Sequence, residues 1–140
     1  MALLPLGLTE LVADIETLAR FLTQSNHYNT AIVKPAAFLP HPTNLNTSVF
    51  RGDRSQRDLV QTWKDTSNGT RALKAVARVK AQHVRRSGLD VHSEKPPHAH
   101  ANIEGWPWSD HDPELAKARQ SEIAILIASE AELVLINLTP

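Results

Sequence analysis

Cysteine is absent from all 140 residues. Disulfide stapling, thiolate-bound zinc and thiol nucleophiles are thereby excluded, and the lack of stapling fits a reducing compartment. Glycine is scarce, with five residues and neither a Gly-x-Gly-x-x-Gly string nor a Walker lysine loop, which argues against a glycine-built phosphate cradle. Aromatic side chains make up only 5% of the chain, so the core must come mainly from Leu, Ile, Val and Ala. No apolar run reaches the length of a spanning helix. The opening Met1–Leu8 is apolar but has no basic flank, and it reads as a packed N-terminal arm of a soluble, cytoplasmic protein with no membrane partner.

What is present matches one globular domain over residues 1–140, with 41% hydrophobic and 21% charged side chains. Net charge is zero but unevenly spread. Residues 51–86 hold ten basic side chains against three acidic ones, and residues 90–140 hold three basic against nine acidic. This asymmetry predicts either charge complementarity within the fold or a basic face offered to an anionic partner.

Leu8, Leu11, Val12, Ile15, Leu18, Ala19 and Leu22 recur at helical spacing behind Thr9 and Glu10, which predicts a first helix over 10–24. The runs 31–39 and 47–51, separated by Pro40-His41-Pro42-Thr43-Asn44, predict two strands. A short helix is expected over 55–65, closed by Ser67-Asn68-Gly69. A long helix is expected over 71–87, capped by Thr70 and ended by Gly88, with Lys80 on its apolar side and a strand over 78–84 as the competing reading. Strands follow over 89–92 and 99–103. Asp112-Pro113-Glu114 opens a last helix to about Ala131, and Leu133–Ile136 either extends it or forms a terminal strand. The fold class is therefore α+β, a small, mostly antiparallel sheet packed against two or three long helices in a single domain.

The densest chemistry lies between Pro96 and His111, with three of seven histidines and two of three tryptophans. On an extended strand His98 and His100 project to the same side and can face one divalent metal ion, with Glu104, Asp110 or His111 completing the shell. A polar loop with hydrogen-bonded histidines is the alternative. Either imidazole can instead serve as general acid or base, with Arg51 stabilising an anionic phosphate centre, in metal-independent nuclease-like chemistry. Ser48, Ser55 and Ser109 lie in no nucleophile-elbow string. In the basic band 51–86, Arg71, Lys74, Arg78 and Arg85 share one side of the expected helix and are the candidate nucleic-acid contacts. Trp106 and Trp108 suit the centre of a protein interface, or of a homo-oligomer.

The strings Ala37-Phe38-Leu39-Pro40, Ser48-Val49-Phe50-Arg51, His100-Ala101-Asn102-Ile103 and Gly105-Trp106-Pro107 resemble those of a group of small bacterial hypothetical proteins, many carried on mobile elements. The resemblance covers most of the chain from about Phe21 onward. It implies a bacterial or phage-like origin, single-domain size and functional interest in Arg51 and His100. Together these readings point to a small cytoplasmic binding or accessory module that recognises a protein or nucleic-acid partner. A histidine-dependent hydrolase or nuclease using His98 or His100 with Arg51 is the alternative.

Overall fold

A computed structural model describes residues 11–67, 71–94 and 99–136. The N-terminal arm Met1–Leu8, the Thr70 cap and His98 lie outside the described residues. Six strands form one sheet among them: β1 (Thr17–Leu22), β2 (Thr47–Arg51), β3 (Ala75–Lys80), β4 (Asp90–Ser93), β5 (His100–Glu104) and β6 (Glu132–Leu135). Their order across the sheet is β4-β5-β2-β1-β3-β6, and every neighbouring pair is antiparallel. Three helices complete the α+β fold, α1 (Gln56–Thr66), α2 (Ala81–Arg86) and α3 (Pro113–Ser129). α1 and α3 have about the lengths the sequence pattern predicts, whereas α2 spans six residues.

Helix starts follow local chemistry. Ser55 caps α1 by accepting from the Asp58 amide at 3.2 Å, with the Asp58 carboxylate in the positive first turn. Asp112 caps α3 from the Leu115 amide at 3.0 Å, followed by Pro113 at the first helical position. Gly88 follows α2 at φ 100°, a conformation a side chain would strain.

One sheet face carries Leu18, Leu22, Val49, Ala77 and Ile103 against Ala124, Ile127 and Ala128 of α3, with Ala37, Phe38 and Trp106 filling the margins. Each fully buried Leu or Ile in this layer contributes about 1.5–3 kcal/mol. The opposite face is covered at one end only, where Leu59 of α1 packs on Ala19, Val76 and Leu73 beside Val60 and Trp63. Ser48 and His92, on the same side, remain exposed, and His100 is half-buried. That open end of the sheet positions the site.

Three elements differ from the sequence pattern. The first helix is absent: Leu11 and Ile15 are 80% and 76% exposed, and Thr17–Leu22 is a strand between β2 and β3. A strand buried on both faces needs no alternation, so Leu18, Ala19 and Leu22 imitate a helical stripe. The expected helix over 71–87 is β3 running into the six-residue α2, because β3 too is buried on both faces, Ala75 and Ala77 on one and Val76 on the other. Lys80, awkward on a helix, sits exposed at the junction. The run 31–39 is no ladder strand: it makes one isolated bridge, Tyr28 with Val33, and a 3₁₀ turn Pro35–Ala37 that sets Ala37 and Phe38 under α3. Strands over 47–51, 89–92 and 99–103 are present within a residue or so, and Leu133–Leu135 belongs to β6. α3 buries Ala116, Gln120 and Ile127 but leaves Leu115, Ile125 and Leu126 about half exposed.

Candidate functional site

Pairing between β1 and β2 stops after two positions, Leu18 with Arg51 and Ala19 with Phe50. Beyond them the strands part, and the guanidinium of Arg20 lies in the gap. Its Nε donates to the Ala37 carbonyl at 2.9 Å, and its Nη1 donates to the Ser48 carbonyl at 3.0 Å. Both acceptors are neutral, and no carboxylate among the described residues pairs with this cation. Burial holds the Arg20 guanidinium below the usual arginine value, the response of a charge removed from water without a counter-ion.

Over this guanidinium opens a cavity of about 440 Å³, lined by Arg20, Phe21, His27, Ser48, Phe50, Trp63 and His100 among others. It shares Thr23 and Gln24 with a second cavity of about 500 Å³ that carries Arg71 and Lys74. On the other side it shares Arg20, Ser48 and His100 with a third of about 330 Å³, lined also by His41, Asn46, Glu94 and Asn102. The three adjoin as one groove. Glu94 is the single carboxylate lining it among the described residues, and Asn102 donates to that carboxylate.

His100 comes from β5, opposite Phe50. Its Nδ1 lies 3.0 Å from the Glu94 carbonyl and its Nε2 2.6 Å from the Ser48 hydroxyl. A carbonyl can only accept, so Nδ1 carries the proton, and in the neutral ring Ser48 donates to Nε2. His27, from the 3₁₀ turn Ser25–His27 after β1, lines the same cavity, with its Nδ1 buried from solvent and without a partner among the described residues. Burial, and next the Arg20 charge, push the His27 imidazole below its usual value, which keeps it neutral near pH 7. Aromatic rings run along the wall: Phe21 stacks on Phe50 at 5.0 Å, Trp63 meets Phe21 edge-on at 5.8 Å, and Phe50 lies 5.4 Å from the His100 ring.

The sequence-selected residues divide. His100 lies in the groove, and Arg71 and Lys74 line its far end without an ion pair among the described residues. Arg51 is not brought to His100. It neighbours Phe50 on β2 and so projects to the other face, where its fully buried side chain grips Glu16 through two 2.9 Å bonds. Arg78 is committed to Asp53 at 3.4 Å and to the Arg54 carbonyl at 2.8 Å. Arg85 is held by Asp14 at 2.6 Å and Asp90 at 2.9 Å. Trp106 is a core residue, whereas Trp108 is 46% exposed and donates to Asp110 at 2.9 Å. His111 is exposed beyond β5, and no group of three or more His, Asp or Glu among the described residues is placed to hold a metal ion. Arg20 and His27 are residues that sequence reading passes over. The signal for Arg20 was a lone cation inside the apolar run Thr17–Leu22.

A second histidine cluster lies on the edge strand. His92 Nδ1 is 2.6 Å from a Glu104 oxygen and its Nε2 is 3.3 Å from Asp90, so the bond to Glu104 raises its pKa above the usual histidine value. The stabilisation from this pairing is fully present below about pH 6.5 and is lost as pH rises through the raised value. Exposure and salt screening keep it small. In an NMR titration His92 is expected to lose its proton at a higher pH than the usual histidine, and Glu104→Gln to move that midpoint down; an unchanged midpoint in the variant would assign the shift elsewhere.

No helix among the described residues is long and apolar enough to cross a membrane. No family model, no curated protein and no solved structure matches the chain.

Proposed function

We propose that this protein is a small recognition module that binds a single strand of nucleic acid along the groove from Arg71 and Lys74 to Arg20 and His100. The reading is carried by the Arg20 guanidinium, half-buried in the β1–β2 gap, bonded to two neutral carbonyls and paired with no carboxylate among the described residues. A phosphate oxygen supplies the missing charge and accepts from the nitrogen the carbonyls leave unclaimed. Arg71 and Lys74 extend the positive track to neighbouring phosphates, and the half-buried Phe21 and Trp63, the former backed by the buried Phe50, offer aromatic surface to unstacked bases. A duplex hides those base faces, so the single strand is favoured. The resemblance to mobile-element proteins adds a bacterial or phage-like origin to this proposal. A protein partner is the second reading, supported by the exposed Leu115, Ile125 and Leu126 of α3 together with Trp108.

Fluorescence anisotropy with labelled oligouridine and oligothymidine of about ten nucleotides tests the reading. Three groove cations predict a log–log salt slope of about −2, which lowers affinity on the order of tenfold between about 50 and 200 mM salt. Absence of binding at the low-salt end, or binding indifferent to salt, overturns the proposal.

A further inference from the structure

We infer that the pocket formed by Arg20, His27 and His100 cleaves the RNA strand it holds, transferring a phosphoryl group from the 5′-oxygen of one nucleotide to the 2′-oxygen of its neighbour. The inference rests on the groove reading above and assigns it a substrate class, ribose-containing single strands.

Two imidazoles and one guanidinium line the same cavity, and they are the groups such a transfer uses. The environments of the two histidines separate their roles. His27 stands beside a permanent cation in a partly desolvated wall, which disfavours a second positive charge and leaves a neutral ring able to take a proton. His100 is bracketed differently. Its Nδ1 is held by the Glu94 carbonyl and its Nε2 meets the Ser48 hydroxyl at 2.6 Å, so a proton leaving Nε2 reaches the cavity through that hydroxyl. The Arg20 nitrogen left over by Ala37 and Ser48 faces the non-bridging oxygens, where charge grows in the transition state.

In the reaction, His27 removes the 2′-hydroxyl proton as the 2′-oxygen forms its bond to phosphorus. The bond from phosphorus to the 5′-oxygen breaks, and the Ser48 hydroxyl gives its proton to that leaving oxygen while taking the Nε2 proton of the His100 imidazolium in its place. One proton is taken and one given, no electrons change hands, and no co-reactant enters. The products are a strand ending in a 2′,3′-cyclic phosphate and a strand beginning with a 5′-hydroxyl. Exchange with water returns both histidines to their starting states. A strand without a 2′-hydroxyl has no nucleophile, so DNA is bound and left intact.

The test incubates full-length protein with labelled RNA of about ten nucleotides, the matching DNA and the matching 2′-O-methyl RNA, in the presence of a chelator. Cleavage of RNA alone, with cyclic-phosphate and 5′-hydroxyl ends, is expected. His100→Ala and His27→Ala should each slow it by roughly 10²–10⁴-fold at saturating RNA. His100→Gln, which keeps a polar group facing Ser48, guards against a mere packing defect and should be equally slow. RNA that is bound but uncut overturns this inference and leaves the binding module standing, whereas RNA and DNA that both fail to bind overturn the groove itself. Cleavage that persists in the histidine variants, 5′-phosphate ends, or a phosphate trapped on Ser48 each overturn the assignment.

Discussion

Arg51→Ala destabilises the protein by about 3–5 kcal/mol, a large part of the roughly 5–15 kcal/mol that holds a domain together. Arg51 is fully buried, and its guanidinium meets both oxygens of Glu16 at 2.9 Å while also donating to the Leu11 carbonyl at 3.2 Å. Glu16 in turn accepts from the Ala13 amide at 2.6 Å, so the pair fastens the segment before β1 to the end of β2. Truncating the arginine strands a carboxylate that is only 15% exposed, together with a carbonyl, beside an apolar layer. The loss comes from what is left unpaired, not from the worth of the pair itself. A double replacement, Glu16→Leu with Arg51→Met, removes both charges and should return most of the stability. Urea melts of the two single variants and the double variant provide the cycle. An Arg51→Ala protein within about 1 kcal/mol of wild type would show that water reaches Glu16 and that the pair is only a surface contact. Such a structural duty accounts for Arg51 without any part in the chemistry of His100.

Residues whose signals are local were legible in the sequence. Ser55, Asp112-Pro113 and Gly88 mark helix ends through hydrogen bonds and backbone angles set within a few positions, and all three do so in the structure. The strands holding Arg51 and His100 were equally readable, bounded by proline, asparagine and glycine. The centre of the sheet was not. β1 and β3 bury residues on both faces of the sheet, Leu18, Leu22 and Ala77 on one and Ala19 and Val76 on the other, which removes the period-2 alternation that would have announced them. The site fared likewise. His100, Arg71 and Lys74 stood out by residue type, but Arg20 and His27 take their meaning from a gap between strands that are far apart in sequence. Arg78 and Arg85 have the same composition signal as Arg71, yet Asp53, Asp14 and Asp90 neutralise them. Which cations of a basic band remain available depends on long-range pairing, and spacing carries no record of it.

Arg20→Gln is expected to weaken oligonucleotide binding by about 2–5 kcal/mol, on the order of 30-fold to several thousand-fold. A half-buried guanidinium in the β1–β2 gap donates to two neutral carbonyls, and desolvation holds its pKa below the usual arginine value. A phosphate that enters the 440 Å³ cavity supplies that counter-ion in a partly desolvated place, where a charged pair is worth more than on the surface. Lysine is a poor substitute, since one ammonium cannot span the Ala37 and Ser48 carbonyls and also present a flat pair of donors to phosphate, so Arg20→Lys should fall between wild type and Arg20→Gln. Arg71→Gln at the exposed end should lose less than about tenfold and reduce the salt slope by about one. The same logic predicts a separate readout on the free protein: inorganic phosphate should raise the melting temperature of wild type and leave that of Arg20→Gln unmoved. Equal affinities for wild type and Arg20→Gln, or phosphate stabilisation that survives the substitution, would mean that the anion sits elsewhere. The buried cation would then be a purely structural plug between two diverging strands.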